Sequence, residues 1–138
     1  MRQEEESKSL NFAPCVDLSV SAGFPSPAGD YLELPLDLNE LLAPHRASTF
    51  FVRVSGQSME GAGINDSDLL VVDRSLQAQQ GNIVIAVIDS EFTVKRLSLS
   101  SGKVLLLPAN GSFKPIEVEE NTGVEIWGVV RYVIHKAK

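Results

Sequence analysis

The run Ile83-Val84-Ile85-Ala86-Val87-Ile88 decides the fold class of this chain. Five of its six residues are β-branched, and it lies between the turn-forming pairs Gly81-Asn82 and Asp89-Ser90. Because the run is short and bounded by turn residues, it predicts a buried strand rather than a helix.

Similar segments extend this β pattern in both directions along the chain. Residues 49–54 and 69–72 precede the central run, and residues 92–97, 104–107 and 125–136 follow it. Each is short, rich in β-branched or aromatic residues, and separated from the next by turn residues. The sequence therefore predicts a mainly β domain over residues 44–138.

The first third of the chain has no comparable pattern. Pro14, Pro25 and Pro27 interrupt it, and polar residues fill much of the rest. We expect an extended N-terminal arm over residues 1–22 and an extended flexible segment over residues 23–43, neither with a core of its own. Within that segment, residues 37–42 could form a short helix that ends before Pro44.

Composition restricts the class of protein. The chain has 138 residues, 43% of them hydrophobic, which suits one domain with a real core. A net charge of −6 argues against binding through the nucleic-acid backbone. No stretch approaches the roughly 20 apolar residues of a membrane span. Because the first residues are acidic, unlike a secretory signal, we expect a cytoplasmic protein without a membrane partner.

Ser58 and Lys95 form the candidate catalytic pair. Ser58 lies in the glycine-containing run Ser55-Gly56-Gln57-Ser58-Met59, and Lys95 lies in a predicted strand. Lysine acts as a general base only when it is neutral, and burial among apolar groups favours the neutral amine. Its neighbour Arg96 stays protonated and cannot serve. The alternative is an ordinary turn serine and a strand lysine whose ammonium reaches water.

Other catalytic or metal-binding sets are weaker. His45 and His135 are the only histidines, and neither has a triad context. Cys15, the single cysteine, lies in the arm and can form neither an internal disulfide nor a cysteine-rich zinc site. The acidic run at residues 65–68 lacks the glycine and closing glutamate of a calcium loop, so we expect a solvated turn there. The sequence predicts no metal.

Ordered blocks of sequence resemble the self-cleaving domain of the LexA/UmuD family. The resemblance implies the family's β-fold of short curved strands, preceded by an extended arm, with Ser58 as nucleophile and Lys95 as general base. It implies that Gly56 and Met59 support the turn or the oxyanion, and that no cofactor is needed. The blocks lie at residues 22–31, 55–64, 66–73, 81–84, 94–97, 107–110 and 127–130.

The segment Val20-Ser21-Ala22-Gly23 resembles that family's cleavage site, and the resemblance implies a cut between Ala22 and Gly23. Small residues suit a protease that cuts after alanine, although composition alone also fits a flexible linker.

The short arm indicates a subfamily. Only 22 residues precede Gly23, too few for the helix-turn-helix domain of LexA, so the chain resembles UmuD and is not expected to bind DNA sequence-specifically. The resemblance then implies a homodimer that a RecA filament on single-stranded DNA stimulates to cleave itself. The product would serve a UmuC-like Y-family polymerase in SOS translesion synthesis. The alternatives are a non-catalytic dimeric interaction module, a LexA-like regulator, and a signal-peptidase-like enzyme, which would need a membrane anchor.

Overall fold

The computed structural model describes residues 13–15, 35–56, 59–109, 114–119 and 123–137, with only the backbone described at Glu60. Contacts divide the chain into two units, Met1–Pro44 and His45–Lys138. Apart from residues 13–15, the predicted arm and the next twelve residues lie outside the described residues.

Among its described residues, the first unit contains one short helix, α1 (Leu38–Leu42). Asp37 caps it, because its carboxylate accepts a hydrogen bond from the Asn39 N–H at 2.9 Å. The helix ends at Ala43, whose N–H donates to the Asn39 carbonyl at 2.9 Å, directly before Pro44. The predicted helix at residues 37–42 is confirmed.

The second unit is built on one seven-stranded antiparallel sheet, which confirms the predicted mainly β fold. The strands lie across the sheet in the order β1-β2-β7-β3-β4-β5-β6. Short 3-10 turns at Arg46–Ser48 and Glu60–Ala62 precede and follow the first strand. The strands are β1 (Thr49–Arg53), β2 (Leu69–Asp73), β3 (Ile83–Ile88), β4 (Glu91–Ser100), β5 (Lys103–Leu107), β6 (Ile116–Val118) and β7 (Val124–Ile134).

The sequence prediction missed one strand and shortened another. β3 has the predicted bounds, whereas β4 continues to Ser100 because β5 pairs with it as far as Ser100 opposite Lys103. β6 has only three residues and directly follows Pro115, so it carries no recognisable pattern. It forms because β5 offers it an edge to pair with.

The last strand, β7, lies inside the sheet, between β2 and β3. Its register shifts once against each neighbour, so Arg131 and Trp127 are the extra residues of two bulges. Between them, Gly128 packs so closely on β2 that a Cβ atom there would lie 2.6 Å from Val72 Cγ1. The close packing of β7 on β2 therefore requires a glycine at position 128.

The core consists of two clusters of buried side chains, and alternate residues of β3 contribute to each of them. This arrangement explains why β3 is apolar throughout rather than alternating with polar residues. The first cluster contains Val54, Met59, Ile64, Leu70, Val72 and Ile85, and the second contains Val84, Ala86, Leu97, Leu106 and Val129.

An aromatic cluster connects three strands. The Trp127 ring lies 5.2 Å from that of Phe50 and 5.5 Å from that of Phe92. The Arg74 guanidinium lies 4.4 Å from the centre of the tryptophan ring, and its Nε donates to the Trp127 carbonyl at 2.9 Å. The bulge that carries Trp127 is thus held by two aromatic contacts and by Arg74. In the part of the chain that is described, no helix has the length and apolar character of a membrane span.

Candidate active site

Lys95 is one of only three polar or charged side chains that are buried among the described residues. It lies on β4 opposite Val84, and only 7% of its surface is exposed. Burial lowers the pKa of its amine, because the charged form loses hydration. The shift is in the direction that favours the neutral amine.

The chain leading to Ser58 leaves β1 through Val54 and Gly56. Gly56 has a φ of +109°, a backbone conformation that favours glycine, and a Cβ there would meet nothing within 4 Å. Its N–H donates to Asp66 Oδ1 at 2.9 Å. Gln57 and Ser58 lie outside the described residues.

The chain that follows Ser58 is anchored by Met59. Its side chain is 2% exposed within the first core cluster. Its carbonyl accepts hydrogen bonds from the N–H groups of Ala62 at 3.0 Å and Ile64 at 3.2 Å. In the same turn Gly61 lies so close to Ala109 that a Cβ would come 2.5 Å from the carbonyl oxygen. A side chain larger than that of glycine therefore does not fit at position 61 unless the backbone shifts.

A pocket of about 190 Å³ brings these segments together. Gly56 and Met59, which lie on either side of Gln57-Ser58 in the chain, line it. So do Thr93 and Val94, the two residues before Lys95. The remaining lining is largely apolar and comes from Val52, Arg53, Val54, Ser55, Ile85 and Phe92. Residues on either side of Ser58 in the chain and residues just before Lys95 therefore border one cavity, but Lys95 itself is not among the lining residues.

The loop before β2 was expected to be a solvated turn, and this expectation is wrong for Asp68. Asp68 is 2% exposed, accepts a hydrogen bond from the Asn65 N–H at 2.8 Å, and lies 2.6 Å from His135 Nδ1. These hydrogen bonds lower the pKa of its carboxyl, against the opposing effect of burial. Asp66 is exposed, as expected.

The second histidine pair lies at the other end of β2. His45 Nδ1 lies 2.7 Å from Asp73 Oδ2, while the hydroxyls of Ser48 and Ser75 donate to Oδ1. Burial raises the pKa of Asp73, but these hydrogen bonds outweigh it and hold the pKa well below the usual value. The serine hydroxyls contact the carboxylate and not the imidazole, so this cluster is not a catalytic triad. Sequence reasoning missed both pairs, because their members are far apart in the chain.

Ala22 and Gly23, the predicted cleavage site, lie outside the described residues. Within the described ranges, no three His, Cys, Asp or Glu side chains are grouped so that they could hold a metal ion.

Comparison with known proteins decides the family. The Peptidase S24-like family model matches residues 14–131. The chain belongs to this family of serine peptidases.

Its relatives indicate the branch of the family. The protein MucA of Salmonella typhimurium is 51% identical over 114 residues, which cover 82% of this chain and 77% of MucA. The protein SamA of Salmonella typhimurium is 45% identical over 134 residues, 97% of this chain and 93% of SamA. The LexA repressor of an Azoarcus species is 36% identical over 133 residues, and the match covers 65% of that repressor. The chain is thus a UmuD-like member of the self-cleaving LexA/UmuD family.

Proposed function

We propose that this chain cleaves itself between Ala22 and Gly23, with Ser58 as nucleophile and Lys95 as general base. The observation that carries this proposal is the burial of Lys95, which lowers the pKa of its amine. Thr93 and Val94, just before it, share a pocket with Gly56 and Met59. A serine hydroxyl needs such a neutral base to become nucleophilic.

The proposed reaction has two halves. The neutral Lys95 amine takes the proton of the Ser58 hydroxyl while the oxygen attacks the Ala22 carbonyl carbon. The bond to the Gly23 nitrogen then breaks, and the ammonium returns the proton to that leaving amine. Lys95 then takes a proton from a water whose oxygen attacks the ester between Ala22 and Ser58, and its ammonium returns that proton to the departing Ser58 oxygen. The products are a fragment that ends in the Ala22 carboxylate and a chain that begins at Gly23.

The two supporting residues have different proposed tasks. The Gly56 N–H already donates to Asp66, so we assign Gly56 to shaping the turn rather than to binding the oxyanion. Met59, with its buried side chain, anchors the other end of the turn.

The substrate is proposed to be tethered to the enzyme. Residues 1–22 form the released arm, residues 23–43 the flexible connection, and residues 44–138 the peptidase domain. Ser58 follows Ala22 by 36 positions, and a chain of this length can bring the bond after Ala22 to the catalytic serine. Tethering raises the effective concentration of that bond to roughly the millimolar range or above.

Membership in the UmuD-like branch supports a role in SOS mutagenesis. We propose that a RecA filament on single-stranded DNA stimulates the cleavage. We also propose that the shortened homodimer serves a UmuC-like Y-family polymerase. The higher identity to MucA (51%) and SamA (45%) than to the LexA repressor (36%) favours this role over that of a repressor.

Mass spectrometry of the purified chain after incubation at alkaline pH tests the peptidase. We expect a product that begins at Gly23, and a faster appearance of the same product when activated RecA filament is added. Ser58→Ala should abolish this product in both conditions, because it removes the attacking oxygen.

Ser100→Ala is the matched control, since it removes an exposed hydroxyl at the end of β4, outside the lining of the pocket. It should cleave at close to the wild-type rate. If Ser58→Ala still yields the Gly23 product, another residue is the nucleophile. If the mass of the wild-type chain never changes, the chain is a non-catalytic interaction module and not a peptidase.

A further inference from the structure

We propose that Asp66 is a positioning residue for the nucleophile, because its carboxylate holds the backbone of Gly56 two residues before Ser58. This inference rests on the proposed role of Ser58. Asp66 is exposed, and it belongs to the acidic run at residues 65–68, whose sequence is typical of a solvated turn.

A hydrogen bond, and not burial, holds the Gly56 backbone. Gly56 is exposed, and with a φ of +109° it lies outside the regular geometry of the strand that precedes it. Burial therefore does not hold it. The hydrogen bond from its N–H to Asp66 Oδ1, at 2.9 Å, supplies a specific link. A carboxylate acceptor makes this bond stronger than a neutral one.

The loop that carries Asp66 is itself firmly held. The Val54 N–H donates to the Asp68 carbonyl at 2.8 Å, and the Ser67 N–H donates to the Val54 carbonyl at 2.9 Å. The Arg53 guanidinium donates to the Ser67 carbonyl at 2.9 Å. Because the loop is bound at several points, its carboxylate can fix Gly56 rather than follow its movements.

Asp68 also anchors this loop. Its buried carboxylate accepts from the Asn65 N–H and contacts His135, just beyond the end of β7. Asp66 thus belongs to a loop that Asp68 links to His135 and that backbone hydrogen bonds link to Val54, just after β1.

The hydrogen bond between Gly56 and Asp66 matters for catalysis because Ser58 follows Gly56 by only two residues. Gln57 and Ser58 are the only residues between Gly56 and Met59. Met59 is buried and accepts two backbone hydrogen bonds, so its end of the segment is fixed by packing. At the other end, the hydrogen bond to Asp66 holds Gly56, the residue nearest to Gln57-Ser58. Since a small displacement of a reacting group is costly, loss of this contact should slow the attack by Ser58.

The test compares Asp66→Ala with Glu117→Ala, which removes an exposed carboxylate from β6 at the far edge of the sheet. Self-cleavage is measured across alkaline pH. Asp66→Ala should lower the maximal rate by about 10- to 100-fold without moving the pH at which the rate levels off, because Lys95 is untouched. Its melting temperature should stay close to that of Glu117→Ala, which should cleave like the wild type.

Asp66→Asn is the conservative variant. Its amide oxygen can still accept from the Gly56 N–H, so it should recover most of the lost rate. A wild-type cleavage rate in Asp66→Ala would overturn the inference, and so would an equal loss in Asp66→Asn and Asp66→Ala.

A second measurement separates this inference from the proposed peptidase activity. In a Ser58→Ala background, where no cleavage is expected, hydrogen exchange of the Gly56 amide is followed by NMR. Removing Asp66 should accelerate this exchange about tenfold, because the amide loses its acceptor. If exchange accelerates but the wild-type chain never cleaves, the peptidase proposal fails while the contact stands. Unchanged exchange overturns the inference whatever the cleavage assay shows.

Discussion

At the scale of the residue, Lys95 combines a charged side chain with a buried position. Its partner across the sheet is the fully buried Val84, and burial lowers the pKa of its amine. Burying a charge is unfavourable for folding, and buried groups with a shifted pKa cluster at functional sites. In the proposed mechanism, the protonation state of the Lys95 amine controls the rate of self-cleavage.

The pH dependence of self-cleavage tests Lys95. The neutral amine is the proposed base, so the rate should rise with pH and level off once the amine has lost its proton. Because burial lowers the pKa, the plateau should begin below the ordinary lysine value of 10.5. Rates are measured by mass spectrometry from neutral to alkaline pH. Lys95→Met should be inactive throughout, whereas Lys103→Met, which changes an exposed lysine on β5, should follow the wild-type curve. A flat wild-type curve would contradict the assignment.

At the scale of the element, β7 holds the sheet together. It pairs with β2 on one side and β3 on the other, and its two bulges place Arg131 and Trp127 outside the regular register. Between these bulges, Gly128 allows β7 to approach the Val72 side chain of β2. Valine is stiff at χ1 and cannot easily turn away.

Gly128→Ala should therefore destabilise the protein by about 1–3 kcal/mol through overpacking. Val72→Ala removes the contacting methyl group, so the double variant should be less destabilised than the sum of the two single variants. Free energies of unfolding from urea titration of the two single variants, the double variant and the wild type measure this coupling. Simple additivity would show that the contact with Val72 is not the cause.

At the scale of the whole second unit, Asp73 connects distant parts of the chain. Its carboxylate contacts His45 and Ser48 at the start of the unit and Ser75 just after β2. These contacts hold the pKa of Asp73 below its value in the unfolded chain, in spite of burial. The ionised carboxylate therefore stabilises the fold above pH 3.8, and this stabilisation is lost as the pH falls further through the folded pKa.

Asp73→Asn should lower the free energy of unfolding at neutral pH by roughly 1–3 kcal/mol, since it breaks a buried hydrogen-bond network. Its difference from the wild type should shrink as the pH falls from about 5 to 2, because the wild type loses the same ionised group. Asp89→Asn, in an exposed turn, is the control and should change stability little. Denaturant titrations across this pH range measure the difference, and a difference that stays constant would contradict the prediction.

Much of the fold could be predicted because β-branched runs and turn residues are local signals. The bounds of β3 and the short helix before Pro44 followed directly from such signals. β6 could not be predicted, because three residues after a proline form a strand only where a partner edge exists. The bulges of β7 depend on two neighbours at once, and no property of that segment alone announces them.

For the candidate site, the residue types and their neighbours were enough to predict which groups could react: a serine in a glycine-containing run and a lysine in an apolar strand. The same residues carried the resemblance to the family. The burial of Lys95, the pocket that its strand shares with Gly56, and the contact between Asp66 and this glycine became visible only in the folded chain. The difference is one of range. Propensity and turn chemistry act over a few neighbouring residues, whereas burial, pKa and side-chain contacts depend on segments that folding brings together from distant parts of the chain.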